Sequence, residues 1–211
     1  MSTSFPELRR NLVAILRGIR PEEAEAVGQA IYDAGIEAIE VPLNSPDPFV
    51  SIAALGRLLP RALVGAGTVL TVEDVDRLHA AGGRLLVTPN VDAAVLARAA
   101  SFGMTTMPGV FTPTEALQAV RLGASALKFF PASVLGPQGV AAIRAVLPPG
   151  VLIGAVGGVS EQTFADYARV GVRAFGLGSS LYRPGDDAAV VGGRAAAAVG
   201  AWDNVFPEAS W

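Results

Sequence analysis

The chain has 211 residues, is 51% hydrophobic and 17% charged, and carries a formal net charge of −3. The absence of cysteine excludes a disulfide framework, a cysteine-ligated metal and a thiol nucleophile. The lone histidine, His79, excludes a His-rich metal site. The acidic balance argues against nucleic acid as the main partner, and the length suits one domain with a sizeable core.

Fifteen of the 16 basic residues are arginine and one is lysine, Lys128. The mean hydropathy of +0.45 is high, yet apolar stretches such as Val151 to Val159 reach about half the ~20 residues of a spanning helix. Leu12 to Leu16 is too brief for a signal-peptide core, and Arg17 ends it. The expectation is a cytoplasmic protein, without a membrane segment, whose strands are buried on both faces.

Eight short apolar runs begin near Leu12, Ala38, Leu63, Leu85, Thr105, Ala126, Leu152 and Ala174, 20 to 26 residues apart. Each is followed by a polar or Gly/Pro break and then a helical segment. After the first run, Pro21-Glu22-Glu23 has the proline and acids that a first helical turn favours. Ala24, Val27, Ile31 and Ala34 then mark one face, and Gly35 stops the helix. Ser45-Pro46-Asp47, Thr71-Val72-Glu73, Thr112-Pro113-Thr114-Glu115 and Ser160-Glu161 open later segments; Gly82, Gly103, Gly123 and Gly171 close them. Eight such units predict an α/β fold, a single-domain (β/α)8 TIM barrel over residues 1–200. A doubly wound open sheet shares the alternation, but no Gly-x-Gly-x-x-Gly follows the first run. Residues 201–211 fall outside the pattern, and Trp202, Phe206 and Trp211 are expected to cover the barrel or a subunit interface.

Active sites of such barrels lie at the C-terminal strand ends. The first run ends in Arg17, the second carries Glu40 and Asn44, the third ends in Thr68 and the fourth in Thr88. The sixth holds Lys128; Val156, Gly157 and Gly158 end the seventh, and Gly178, Ser179 and Ser180 end the eighth. Lys128 lies among Ala126, Leu127, Phe129 and Phe130, where desolvation lowers an amine pKa and yields a nucleophile able to form a Schiff base. The alternative is a structural lysine paired with Glu40. Glu40, between Ile39 and Val41, suits either proton transfer or that salt bridge. Arg17 can clamp a carboxylate or phosphate, or bridge loops at the rim. The glycine-rich ends of the last two runs suit a phosphate, since backbone N–H groups can approach an anion there. His79 sits in a helical segment without catalytic neighbours, and Asp74 and Asp76 read as a solvated helix face rather than a metal site.

Five segments carry a family resemblance: Ile-Glu-Val-Pro-Leu-Asn-Ser-Pro (39–46), Gly-Ala-Gly-Thr-Val (65–69), Val-Thr-Pro-Asn (87–90), Ala-Leu-Lys-Phe-Phe-Pro-Ala (126–132) and Ala-Val-Gly-Gly-Val (155–159). In this order, from about residue 8 to residue 200, the chain resembles the class I 2-keto-3-deoxy-6-phosphosugar aldolases. The resemblance implies that Lys128 forms the Schiff base and Glu40 is the general acid/base. It implies that Arg17 and Thr68 contact the pyruvate half, and that groups near Gly157, Gly158, Gly178 and Ser179 hold the phosphate. Gluconate-specific relatives have arginine where this chain has Asn44, and threonine where it has Val156; both differences resemble the galactonate branch. The implied reaction splits a phosphorylated keto-deoxy sugar acid into pyruvate and D-glyceraldehyde 3-phosphate, in a homotrimer, without metal or cofactor. An enzyme for the gluconate epimer, or for both, is the nearest alternative. A phosphosugar isomerase or synthase on the same barrel, or a non-catalytic sugar-phosphate binder, gives Lys128 no covalent role.

Overall fold

The computed structural model describes residues 4–207. Nine parallel strands form one sheet: β1 (Leu12–Ile15), β2 (Ala38–Pro42), β3 (Leu63–Gly67), β4 (Leu85–Val87), β5 (Thr105–Met107), β6 (Gly109–Val110), β7 (Leu127–Phe129), β8 (Ile153–Val156) and β9 (Ala174–Leu177). Their order is β5-β4-β3-β2-β1-β9-β8-β7-β6. The two outermost strands, β5 and β6, are consecutive in the chain and separated only by Pro108. They are therefore two halves of one stave, and the ring closes through Pro108 as a (β/α)8 barrel. Proline has no N–H to give the ladder, which is why the stave is interrupted there. Its carbonyl still accepts a hydrogen bond from the Lys128 N–H at 3.0 Å.

Among the described residues eight helices surround the ring: α1 (Pro21–Asp33), α2 (Pro48–Leu58), α3 (Val72–Ala80), α4 (Ala93–Ser101), α5 (Pro113–Arg121), α6 (Ala132–Arg144), α7 (Phe164–Arg169) and α8 (Ala188–Val205). Proline opens α1, α2 and α5, and the side chains of Thr71, Asp92, Thr112 and Asp187 accept backbone N–H groups at the starts of α3, α4, α5 and α8. Left-handed glycines follow α1, α3, α4, α5 and α7. α6 bends at Gly136, just before Pro137. Among the described residues no helix is long and apolar enough to cross a membrane.

α8 passes through residue 200 without a break, so residues 201–205 are helix rather than a separate tail. Trp202 is buried edge-on to Phe175 of β9, and Phe206 packs on its other side with ring centroids 4.4 Å apart. Arg10 fastens the same turn through two hydrogen bonds, of 2.7 and 2.6 Å, to Asp203. These contacts carry the helix past Gly192, Gly193 and Gly200, each of weak helix preference among the alanines. Trp211 lies outside the described residues.

Alternation along the strands makes two apolar layers. Leu12, Ala14, Ile39, Val41, Val64, Leu86, Leu127, Phe129 and Phe175 belong to the outer layer, against the helices. Val13, Ala38, Leu63, Leu85, Val87, Met107, Ala126 and Ala174 fill the lumen, with Phe5, Leu8 and Leu152 packed against them. The lumen floor is thus closed by hydrocarbon. Two residues further along the same strands, Ala38 gives way to Glu40 and Ala126 to Lys128, so the charges stand one layer above that floor.

Candidate active site

Glu40 is 2% exposed and Lys128 6%. Both face a cavity of about 150 Å³ at the C-terminal mouth, whose wall also includes Arg17, Phe130, Val156, Gly157, Gly158, Gly178 and Ser179. Eight of the residues singled out at the strand ends therefore share one pocket. Val159, next to Gly158, also lines it; Phe130, Ile15 and Gly176 line it as well and were not anticipated. Each lies two positions from an anticipated residue on its own strand (Lys128, Arg17 and Gly178), so the period of two carries the signal that finds them.

Burial governs the protonation of the pair. It pushes the Glu40 carboxyl up to about 7, against the pull of Lys128 and Arg17. It brings the Lys128 amine down to about 8, opposed by Glu40 and assisted by Arg17. Among the described residues no ion pair joins the two, and Glu40 Oε2 is buried without a hydrogen-bond partner. A structural lysine satisfied by its carboxylate would show that ion pair. The Lys128 Nζ instead stands 4.6 Å from the centroid of the Phe130 ring, whose face favours the cationic form. A lysine held this close to neutrality can attack a carbonyl, and the ring then favours the iminium that results.

Arg17 leaves the end of β1 at the mouth, and its Nη1 donates to Asn44 Oδ1 at 2.5 Å. Asn44 is exposed and outside the cavity wall, so it bears on the pocket through the arginine. The Gly18 N–H donates to the Ser45 hydroxyl at 2.9 Å, which fixes the turn behind the guanidinium. On the opposite side, Gly157 and Gly158 adopt φ of +92° and +72°. A Cβ on Gly158 would come within 2.5 Å of Ser133 Cβ, so only glycine lets this loop lie against the start of α6. The Ser180 hydroxyl donates to the Val159 carbonyl at 3.0 Å and ties together the loops that follow β8 and β9.

Thr68 and Thr88 do not reach the cavity wall. Thr68 follows β3 with a left-handed φ of 58°, and the buried Thr88 hydroxyl donates to the Asn90 carbonyl at 2.5 Å. Val156, 6% exposed, gives the wall an apolar face beside Gly176. His79 stacks on Phe102 with ring centroids 3.8 Å apart, between α3 and α4. Asp76 pairs with Arg98 at 2.6 Å, and Asp74 faces Arg77 at 3.9 Å. Among the described residues no cluster of metal-ligating side chains is present.

The site can do imine chemistry: an amine near neutrality, a carboxyl poised to hold or release a proton, an arginine at the rim and two glycine loops opposite it. Comparisons with known proteins agree with this chemistry. A relative from Rhizobium meliloti (strain 1021), named a probable 2-dehydro-3-deoxy-6-phosphogalactonate aldolase, is 61% identical over 96% of each chain. The 2-dehydro-3-deoxy-6-phosphogalactonate aldolase of Escherichia coli (strain K12) is 48% identical over 90% of this chain and 94% of its own. A solved structure described as native KDPGal superposes with a TM-score of 0.93 at 45% identity, over 96% of this chain and 98% of the other. The family model for KDPG and KHG aldolases matches residues 7–189, a span that contains every strand of the barrel and the whole pocket, and the chain belongs to that family.

Proposed function

We propose that this protein is a class I aldolase that cleaves 2-dehydro-3-deoxy-6-phospho-D-galactonate to pyruvate and D-glyceraldehyde 3-phosphate. The observation that carries the reading is the buried Lys128, its amine brought down to about 8 beside Glu40 in a pocket wall that also holds both glycine loops. The 61% and 48% identical relatives bearing the galactonate name support the choice of epimer.

The neutral Lys128 amine adds to the C2 ketone; Glu40, in its acid form, gives its proton to the departing hydroxyl, and loss of water leaves a protonated imine and a Glu40 carboxylate. Glu40 takes the proton of the C4 hydroxyl, directly or through water. The C3–C4 bond breaks, its electron pair passes to C3 as the imine becomes an enamine, and C4 leaves as the aldehyde of D-glyceraldehyde 3-phosphate. Protonation at C3 and hydrolysis of the imine release pyruvate and restore Lys128. Arg17 holds the carboxylate of the pyruvate half. Asn44 orients Arg17, and Thr88 fixes the loop after β4. Gly157, Gly158, Gly178 and Ser179 cradle the phosphate, and Val156 shapes the wall that meets the C4 substituent.

Two measurements test the proposal. Borohydride with pyruvate is expected to trap a covalent adduct on Lys128; an unlabelled Lys128 peptide would sink the imine mechanism and restore the isomerase and binder readings. Cleavage of both C4 epimers is expected to give the larger kcat/KM for the galactonate compound, and a large excess for the gluconate compound would overturn the epimer assignment. The same reading places the enzyme in the cytoplasm as a homotrimer, and light scattering should return three times the 21.6 kDa chain mass.

A further inference from the structure

Four glycines line the lumen on strands beside the site, and different groups occupy the space a Cβ would need. At Gly65 it is the Leu85 backbone carbonyl, at Gly154 the Met107 methyl, and at Gly176 the Val156 side chain. At Gly67, the last residue of β3, it is the Glu40 carboxylate: a Cβ there would overlap Oε2, Oε1 and Cδ together. Gly67 does not have a positive φ, so conformational freedom is not what it supplies. The register places Gly65 beside Glu40 and Gly67 beside Pro42, so the glutamate side chain runs forward along β3 and ends over the Gly67 Cα.

We propose that Gly67 is a positioning residue: the bare Cα is the berth of the Glu40 carboxylate and fixes where it stands relative to Lys128. This rests on the reading of Glu40 as the proton-transfer group. The charged groups that face the carboxylate are Lys128 from β7 and Arg17 after β1. Neither β3 nor the nearby lumen positions of β8 and β9 add one, since they present Gly65, Gly67, Val156 and Gly176. In the berth the Oε2 of the carboxylate is buried without a hydrogen-bond partner. Its only easy escape is toward the cavity, Lys128 and the mouth, where solvent and both cations favour ionisation.

Gly67→Ala is expected to move the carboxylate rather than the backbone, because the carboxylate is the free end of a side chain. kcat should fall about 10- to 100-fold, as for a displacement of about 1 Å in a reacting group. KM and pyruvate trapping on Lys128 should stay within a few-fold, and the acid limb of the kcat profile should move to lower pH. Glu40→Asp, shorter by one methylene, should cost less in the Gly67→Ala background than alone. An unchanged kcat and pH profile, or costs that simply multiply, would overturn the proposal. If Gly67→Ala fails to fold, Gly67→Ala with Glu40→Ala must fold, because the group in the way is gone; failure of that double variant also overturns it. Glu40→Gln separates the two levels. Near wild-type cleavage by it removes Glu40 from proton transfer, whereas an inactive Glu40→Gln with an unaffected Gly67→Ala refutes only the positioning role.

Discussion

Replacing Glu40 by glutamine should make Lys128 a still weaker base. Three influences set this amine: burial lowers its pKa, Glu40 raises it and Arg17 lowers it. Glutamine fills the same space without the charge, so only the two lowering influences remain, and the value should drop below about 8. The starting point already matters for chemistry. At pH 7 an amine of pKa about 8 is roughly 9% neutral, against roughly 0.03% at the ordinary 10.5, about a 300-fold gain in nucleophile. Acylation of the ε-amine across a pH series, read by mass analysis of the Lys128 peptide, measures the midpoint. No other lysine competes for the label. The wild type should titrate near 8 and Glu40→Gln lower. A wild-type midpoint near 10.5, or an upward movement in Glu40→Gln, would refute the electrostatic account of the pair.

The same burial sets how stability depends on pH. From pH 4.5 to about 7 the unfolded chain releases the Glu40 proton while the folded chain keeps it, so stability should fall across that window by on the order of 3 kcal/mol. Lys128 acts in the opposite sense from about 8 to 10.5, where stability should rise, and denaturant titrations of Glu40→Gln should lack the first slope. Arg17→Met removes a charge-assisted contact and should raise KM about 10- to 100-fold with a smaller change in kcat, read by steady-state cleavage. Gly158→Ala combines a positive φ with a Cβ 2.5 Å from Ser133; it should weaken phosphate-bearing ligands while borohydride trapping of pyruvate continues unchanged. Trp202→Ala empties a 2% exposed site between Phe175 and Phe206 and should cost about 3–5 kcal/mol in a denaturant titration.

Much of the architecture is legible in the chain itself. Strands buried on both faces form continuous apolar runs bounded by caps and glycines, so six of the eight expected run starts coincide with the observed strands and the other two differ by one residue. Lys128 and Glu40 stand out because a charge in such a run is costly unless chemistry needs it. What the sequence hides is set by neighbours distant in the chain. Asn44 looks like a wall residue, but a loop-to-loop hydrogen bond turns it toward Arg17. The end of α8 depends on Trp202 finding Phe175, 27 positions earlier. Gly67 reads as one glycine among 24 until β2 lays Glu40 across it.

The hydrocarbon plug beneath Lys128, made from Val13, Met107, Ala126 and their neighbours with Phe5 and Leu8 beneath, also dictates traffic. With the bottom sealed, every reactant and product must use one doorway. In the proposed reaction the fragment tethered to Lys128 would sit deepest, with the phosphorylated aldehyde between it and the exit. The aldehyde should therefore depart first and pyruvate last. When the reaction runs toward carbon–carbon bond formation, pyruvate must enter before the aldehyde, so an excess of aldehyde should block the doorway and inhibit competitively against pyruvate.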